Sequence, residues 1–155
     1  TNPYGNNTGK GADMAGSWAV KKEIFLKIGM YDTNIKFGEN NELRLRFQFE
    51  KLNVIVVEKY NFNYFASIDG GSKNSQNKME SILYTLNKHK VYYDRNKRVK
   101  KLFIQNAAVA AVRIGQVKKA HELFGYALVN HKKDVKLWLQ YILTTNSYLV
   151  KLKWR

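Results

Sequence analysis

The stretch KFGENNELRLRFQFEKLNVIVVEKY, residues 36–60, predicts both a fold class and a candidate site. Its first half predicts a helix over residues 39–51 that ends in a left-handed turn at Asn53. The apolar residues of that helix share one face, namely Leu43, Phe47 and either Phe49 or Leu52. Its second half, VIVVE, is a continuous β-branched run, which indicates a strand buried on both faces.

The segments on either side extend this pattern. AGSWAV, residues 15–20, and YNFNYFAS, residues 60–67, each predict a strand. KKEIFLKIG, residues 21–29, predicts a short helix capped by Gly29. Helices and apolar strands that alternate in this way indicate an α/β fold for the first part of the chain.

Every segment after Ser75 has helical periodicity. We expect helices near residues 76–91, 98–114, 116–130 and 134–152. The expected fold is therefore α/β followed by all-α, with one part over residues 1–71 and a helical part over residues 72–155.

The charge of the chain changes at the same place. Residues 1–71 hold 9 Lys/Arg and 8 Asp/Glu, whereas residues 72–155 hold 18 and 4, so the two parts carry +1 and +14. A field of this sign favours phosphate-bearing partners such as anionic lipid, nucleic acid or a nucleotide diphosphate. The absence of cysteine from the sequence excludes disulfides and thiolate metal sites.

Two motifs in the first part resemble those of a known enzyme family. IGMYD, residues 28–32, is similar to a pattern I-G-G-[FY]-D, and GENNELRLR, residues 38–46, is similar to G-E-D-x-[DE]-L-x-x-R. In this order they resemble the second half of the catalytic domain of inverting family-2 glycosyltransferases with the GT-A fold. The resemblance covers about residues 11–70 and implies the acceptor-side portion of such a domain.

The resemblance implies a reaction in which an acceptor hydroxyl attacks a nucleotide-diphosphate sugar with inversion. The attack needs a base, because an alcohol is a poor nucleophile until its proton is taken. The family's base aspartate aligns with Asn40, whose amide cannot take a proton, so Glu39 is the candidate base. The resemblance also implies that Ser17, Trp18 and Glu42 contact substrate.

Structural explanations compete with these roles. With Glu39 at the N-cap, Glu42 would be the third helical residue, where acids satisfy free backbone donors. Arg46 lies four residues after Glu42, which favours an ion pair on the helix surface. For Trp18, a place in the core competes with contact to substrate, and the core is the commoner place for a tryptophan.

The chain lacks the donor half of such an enzyme. No D-x-D segment, which in the family holds the divalent cation against the diphosphate, occurs in the sequence. We therefore expect no cofactor in this chain, with Mg or Mn, a nucleotide-sugar donor and a sugar or lipid-linked acceptor belonging to the complete enzyme. The isolated chain is expected to be inactive.

The helical part suggests other functions. Four residues, Gly115, Ala120, Phe124 and Ala127, resemble half of a tetratricopeptide repeat, although an ordinary helical hairpin explains them as well. A non-catalytic helical binding module is therefore the alternative to the transferase. The basic run over residues 94–101 has no recognised nucleic-acid motif beside it, so the sequence does not favour nucleic acid as a partner.

The last predicted helix has a broad apolar face with lysines at its end, which suits an anionic membrane surface. The residues of this face are Leu137, Trp138, Tyr141, Ile142, Leu149 and Leu152. The charge-free stretch over residues 137–150 is too short to span a bilayer. We expect a soluble chain in the cytoplasm that could bind peripherally to the inner face of the membrane.

Overall fold

The computed structural model describes residues 18–53, 55 and 73–146. Its contacts divide the chain into two units, Thr1–Asp69 and Gly70–Arg155. The described residues form seven helices, which are α1 (Lys22–Lys27), α2 (Glu39–Phe49), α3 (Ser75–Lys88), α4 (Lys90–Arg95), α5 (Lys97–Arg113), α6 (Val117–Leu128) and α7 (Val135–Leu143). None of them is long and apolar enough to cross a membrane.

The expected α/β class is wrong for the part of the chain that the structure describes, where every regular element is a helix. Trp18, Ala19 and Val20, the end of one predicted strand, have no regular structure, and Ile55 in VIVVE is 81% exposed. The other residues of VIVVE and all of YNFNYFAS lie outside the described residues. A β-branched run shows only that a strand is compatible with the side chains, because a strand is stable only where its backbone pairs with another.

In the first unit, α1 ends as the sequence predicts. Gly29 has a φ of 87°, and its N–H bonds to the carbonyl of Leu26 while the N–H of Met30 bonds to that of Phe25. These are the two hydrogen bonds of a Schellman turn, which requires a left-handed residue at the glycine.

The end of α2 differs from the sequence prediction. The left-handed residue is Lys51, with a φ of 51°, and not Asn53. The N–H of Lys51 bonds to the carbonyl of Gln48, and the N–H of Leu52 bonds to that of Phe47. The same Schellman geometry therefore closes α2 two residues earlier, because these hydrogen bonds outweigh the intrinsic preference of asparagine for this conformation.

The second unit is a series of packed helices. α5 packs against both α3 and α6, and α6 packs against α7. Four alanines of α5 are buried, namely Ala107, Ala108, Ala110 and Ala111, and small side chains of this kind allow neighbouring helices to approach closely. The predicted helices at residues 98–114 and 116–130 correspond to α5 and α6, and the turn between them contains Gly115.

Side-chain caps begin two of these helices. The side-chain oxygen of Asn74 accepts from the N–H of Asn77 at 2.9 Å, at the start of α3. The carboxylate of Asp134 accepts from the N–H of Leu137 at 3.0 Å, at the start of α7. Each cap satisfies a backbone donor that the helix itself leaves without a partner.

Candidate functional site

A buried ion pair on α2 is the structural centre of the candidate site. Arg46 Nε lies 3.0 Å from both carboxylate oxygens of Glu42, and Arg46 Nη2 lies 2.9 Å from Oε2. Glu42 is only 2% exposed. The predicted pair is therefore present, but its carboxylate is buried, and the Arg46 side chain is only 15% exposed.

The same guanidinium also binds the turn that follows α1. Arg46 Nη1 donates to the carbonyl of Ile28 and Nη2 donates to the carbonyl of Met30, each at 2.5 Å. Both carbonyls flank Gly29, so the left-handed turn directs them to one side chain. A planar fork of N–H donors is suited to several fixed acceptors at once, which a lysine ammonium is not.

Arg46 thus connects the two motifs. Residues 28–32 directly follow α1, and residues 38–46 are the N-cap and the first turns of α2. The guanidinium bonds to both segments. We call the contacts of Arg46 with Glu42, Ile28 and Met30 the arginine clamp. The clamp is internal to the first unit.

The N-terminus of α2 carries the predicted catalytic residues. Gly38 is the N-cap, with a φ of 75°, so Glu39 is the first helical residue and Glu42 the fourth. The capping box considered for Glu39 and Glu42 therefore does not apply, because it requires Glu39 at the N-cap. Glu39 and Asn40 are both partly exposed.

Tyr31 joins the motif after α1 to this helix terminus. Its hydroxyl donates to Asn40 Oδ1 at 2.7 Å. Burial raises the pKa of the Tyr31 phenol, and the negative charge of Glu39 raises it further. The hydrogen bond places Tyr31 beside Asn40, and Glu39 is the residue directly before Asn40 at the start of α2.

Aromatic rings lie beside these polar groups. The ring of Tyr31 makes edge-to-face contacts with Trp18, at 6.4 Å between centroids, and with Phe25, at 5.5 Å. Trp18 also contacts Phe47 of α2, at 5.9 Å. Trp18 therefore packs against α2 and lies next to Tyr31 at the same time, while its contact with substrate stays a prediction.

The structure separates the predicted site residues into three groups. Glu39, Asn40 and Trp18 lie around Tyr31. Glu42 is buried against Arg46, a position suited to holding the motifs together and not to contacting substrate. Ser17 lies outside the described residues.

Sequence reasoning missed Tyr31 as a member of the site. The residue stands in IGMYD, directly after the turn that the clamp holds. Its place in that motif was the available signal. Its partner, Asn40, could not be inferred, because the hydrogen bond depends on how the loop between α1 and α2 folds.

The described residues do not fit a Mg or Mn site. Among them, no group of three or more His, Cys, Asp or Glu side chains lies close enough to hold a metal. The motif over residues 38–46 has two acids, and one of them, Glu42, is neutralised by Arg46. Only the Glu39 carboxylate of this motif is then left, whereas divalent cations usually need several oxygen ligands. We derive no step through a metal in this part of the chain.

The chain matches none of the family models, curated proteins or solved structures with which it was compared.

Proposed function

We propose that the chain is part of an enzyme that transfers a sugar from a nucleotide-diphosphate sugar to an acceptor hydroxyl with inversion. The observation that carries the proposal is the arginine clamp, since it brings together the two motifs on which the resemblance to glycosyltransferases rests.

In this proposal Glu39 is the base. The acceptor oxygen forms a bond to the anomeric carbon, the bond from that carbon to the diphosphate breaks, and the acceptor proton passes to the Glu39 carboxylate. Glu39 is partly exposed at the first position of α2. Its side chain therefore combines access to solvent with the carboxylate oxygens that accept a proton from an acceptor hydroxyl.

The neighbouring side chains suit an acceptor sugar. Sugar rings present C–H faces that pack on aromatic rings and hydroxyls that hydrogen-bond to amides and carboxylates. Trp18 and Tyr31 supply aromatic surface, and Asn40 is held by the Tyr31 hydroxyl. The donor and any Mg or Mn that it requires are assigned to other parts of the complete enzyme.

The test is the rate of sugar transfer by Glu39→Gln in the protein at the length that its gene encodes. Glutamine keeps the shape and hydrogen bonding of the side chain but cannot take the proton, so we expect kcat to fall by about 10²–10⁴-fold. The matched control is Glu23→Gln, which removes an exposed acid from the first turn of α1. Loss of turnover in Glu39→Gln with an unchanged control supports the proposal, and unchanged turnover in both variants removes Glu39 from the mechanism.

A second candidate function is a non-catalytic helical binding module. The observation that favours it is the α5–α6 hairpin, in which the repeat-like residues Ala120, Phe124 and Ala127 are all buried. If no length of the protein transfers sugar and Glu39→Gln changes only stability, this alternative replaces the first.

A further inference from the structure

Helix α7 exposes an apolar stripe. Four residues, Val135, Trp138, Leu139 and Ile142, are between 41% and 70% exposed. Their spacing of three, four and seven residues places them on one face of a helix. We call these four residues the α7 stripe.

The stripe is not the face that packs against α6. Leu137 is fully buried, and the Tyr141 ring stacks on His121 of α6 with centroids 4.1 Å apart. A Cβ added to Gly125 of α6 would lie 3.0 Å from the Tyr141 ring. Tyr141 and Leu137 therefore face α6, and the stripe lies on a different side of α7. Helical periodicity alone did not distinguish the stripe from this packed face.

Three lysines lie near the N-terminal end of the stripe. Lys132 and Lys133 are exposed in the loop before α7, and Lys136 is exposed on α7 itself. The last acid of the sequence, Asp134, is paired with Lys101 at 2.7 Å, while residues 135–155 contain no acid. The neighbourhood of the stripe is therefore cationic.

Trp138 lies where the apolar and basic surfaces meet. Its indole N–H donates to the backbone carbonyl of Lys132 at 2.8 Å, and its ring remains 41% exposed. An amphipathic ring beside lysines is typical of residues at the boundary between hydrocarbon and lipid head groups.

We propose that the α7 stripe docks on the surface of an anionic lipid bilayer. A bilayer offers an apolar layer for the stripe and, directly beside it, negative head groups for Lys132, Lys133 and Lys136. A second copy of the chain fits less well, because pairing two stripes would bring lysines of the same sign together. α7 has nine residues and is about 13 Å long, so it lies on the surface and does not enter deeply.

The test is binding of the 155-residue chain to vesicles, measured by co-sedimentation at low and high salt. Vesicles of phosphatidylcholine with phosphatidylglycerol should bind the chain, and vesicles of pure phosphatidylcholine should not. Lys132→Gln with Lys133→Gln should weaken binding by about 30-fold, since each lysine near an anionic surface contributes a factor of about 5. Leu139→Gln with Ile142→Gln should weaken it by about tenfold or more.

Matched variants separate docking from general charge and apolarity. Leu102→Gln replaces an apolar residue of α5 that is exposed to a similar degree, and Lys118→Gln removes an exposed lysine of α6. Neither should change binding. Equal losses in these controls, or equal binding to neutral vesicles, overturn the proposal.

A lipid-free measurement tests the competing occupant. The chain should sediment as a monomer without lipid. A dimer that Leu139→Gln with Ile142→Gln converts to monomer would show that a second copy covers the stripe, and this result also overturns the proposal.

Discussion

The contacts that stabilise the first unit differ from those that stabilise the second. In the first, the described buried residues are Ile35, Leu43 and Leu45 together with Glu42, and the turn after α1 is bound through one guanidinium. In the second, apolar side chains from α3 to α7 are buried over a long series of helix contacts. Directional polar contacts hold groups at defined distances, whereas apolar packing distributes stability over many residues. In the described part of the first unit, one guanidinium therefore makes the contacts that position the turn after α1, whereas many apolar side chains share this task in the second unit.

The substitution with the largest expected effect removes a buried apolar side chain from the second unit. Phe124 of α6 is fully buried, so Phe124→Ala should destabilise the second unit by about 3–5 kcal/mol through lost burial and a cavity. Chemical denaturation followed by circular dichroism measures the change. The control is Leu102→Ala on the exposed side of α5, which should cost less than about 1 kcal/mol. Similar losses in both variants would mean that α6 is not packed as described.

The substitution with the next largest effect removes the guanidinium of the arginine clamp in the first unit. Arg46→Gln should destabilise the first unit by about 3 kcal/mol, because it leaves the buried Glu42 carboxylate without its cation. The fluorescence of Trp18, which contacts Phe47, reports unfolding of this unit once Trp138 and Trp154 are replaced by Phe.

Arg46→Lys distinguishes charge from geometry in the clamp. Lysine keeps the positive charge but cannot reach Glu42 and both turn carbonyls with one planar group. We expect it to recover only part of the lost stability. Full recovery would mean that charge alone holds the turn.

A smaller effect concerns the start of α7. Lys101 donates to Asp134, the N–H of Leu137 adds a second hydrogen bond, and together they lower the pKa of the Asp134 carboxyl below its ordinary 3.8. Because the folded pKa lies below the unfolded one, the stabilisation is present above about pH 4 and is lost as the pH falls further. Asp134→Ala should cost about 1–2 kcal/mol at pH 7, and this loss should shrink in acid. Thermal unfolding at pH 7 and pH 3 measures both values, and an equal loss at the two would contradict the ionised cap.

The smallest expected effect is a change in the pKa of Tyr31, which tests whether Glu39 lies near its hydroxyl. If the Glu39 charge raises the pKa of Tyr31, Glu39→Gln should lower that pKa, but not to its ordinary value, because burial is the larger cause. NMR of ring-labelled tyrosine, with the signal assigned through Tyr31→Phe, follows the titration. Glu23→Gln should leave it unchanged. No shift in Glu39→Gln would place the two side chains further apart.

The sequence predicted local structure where the controlling residues are neighbours. The left-handed turn at Gly29 and the helices α5 and α6 depend on contacts within a few residues, and they occur as expected. The pairing of Glu42 with Arg46 followed from their spacing, whereas its burial did not. The carbonyl partners of Arg46 lie 16 and 18 residues earlier in the chain, beyond the reach of helical periodicity.

The wrong predictions also concern properties that tertiary contacts decide. A β-branched run favours a buried strand at Ile55, but Ile55 is 81% exposed, because burial is decided by tertiary contacts and not by the preference of the side chain. In α7, periodicity put Leu137 and Trp138 on one broad apolar face, while packing against α6 buries the first and leaves the second exposed. Composition indicates which residues can be buried, and tertiary contacts decide which of them are.

A double-mutant cycle between Arg46 and Glu42 tests whether the arginine clamp acts as a unit. Arg46→Gln, Glu42→Gln and the double variant are compared by denaturation followed through Trp18. If Glu42 positions the guanidinium that binds the turn, the double variant should be more stable than the sum of the single losses predicts, by about 2 kcal/mol or more. Losses that add to within about 0.5 kcal/mol would show that the two residues act independently and that Glu42 does not position Arg46 in the clamp.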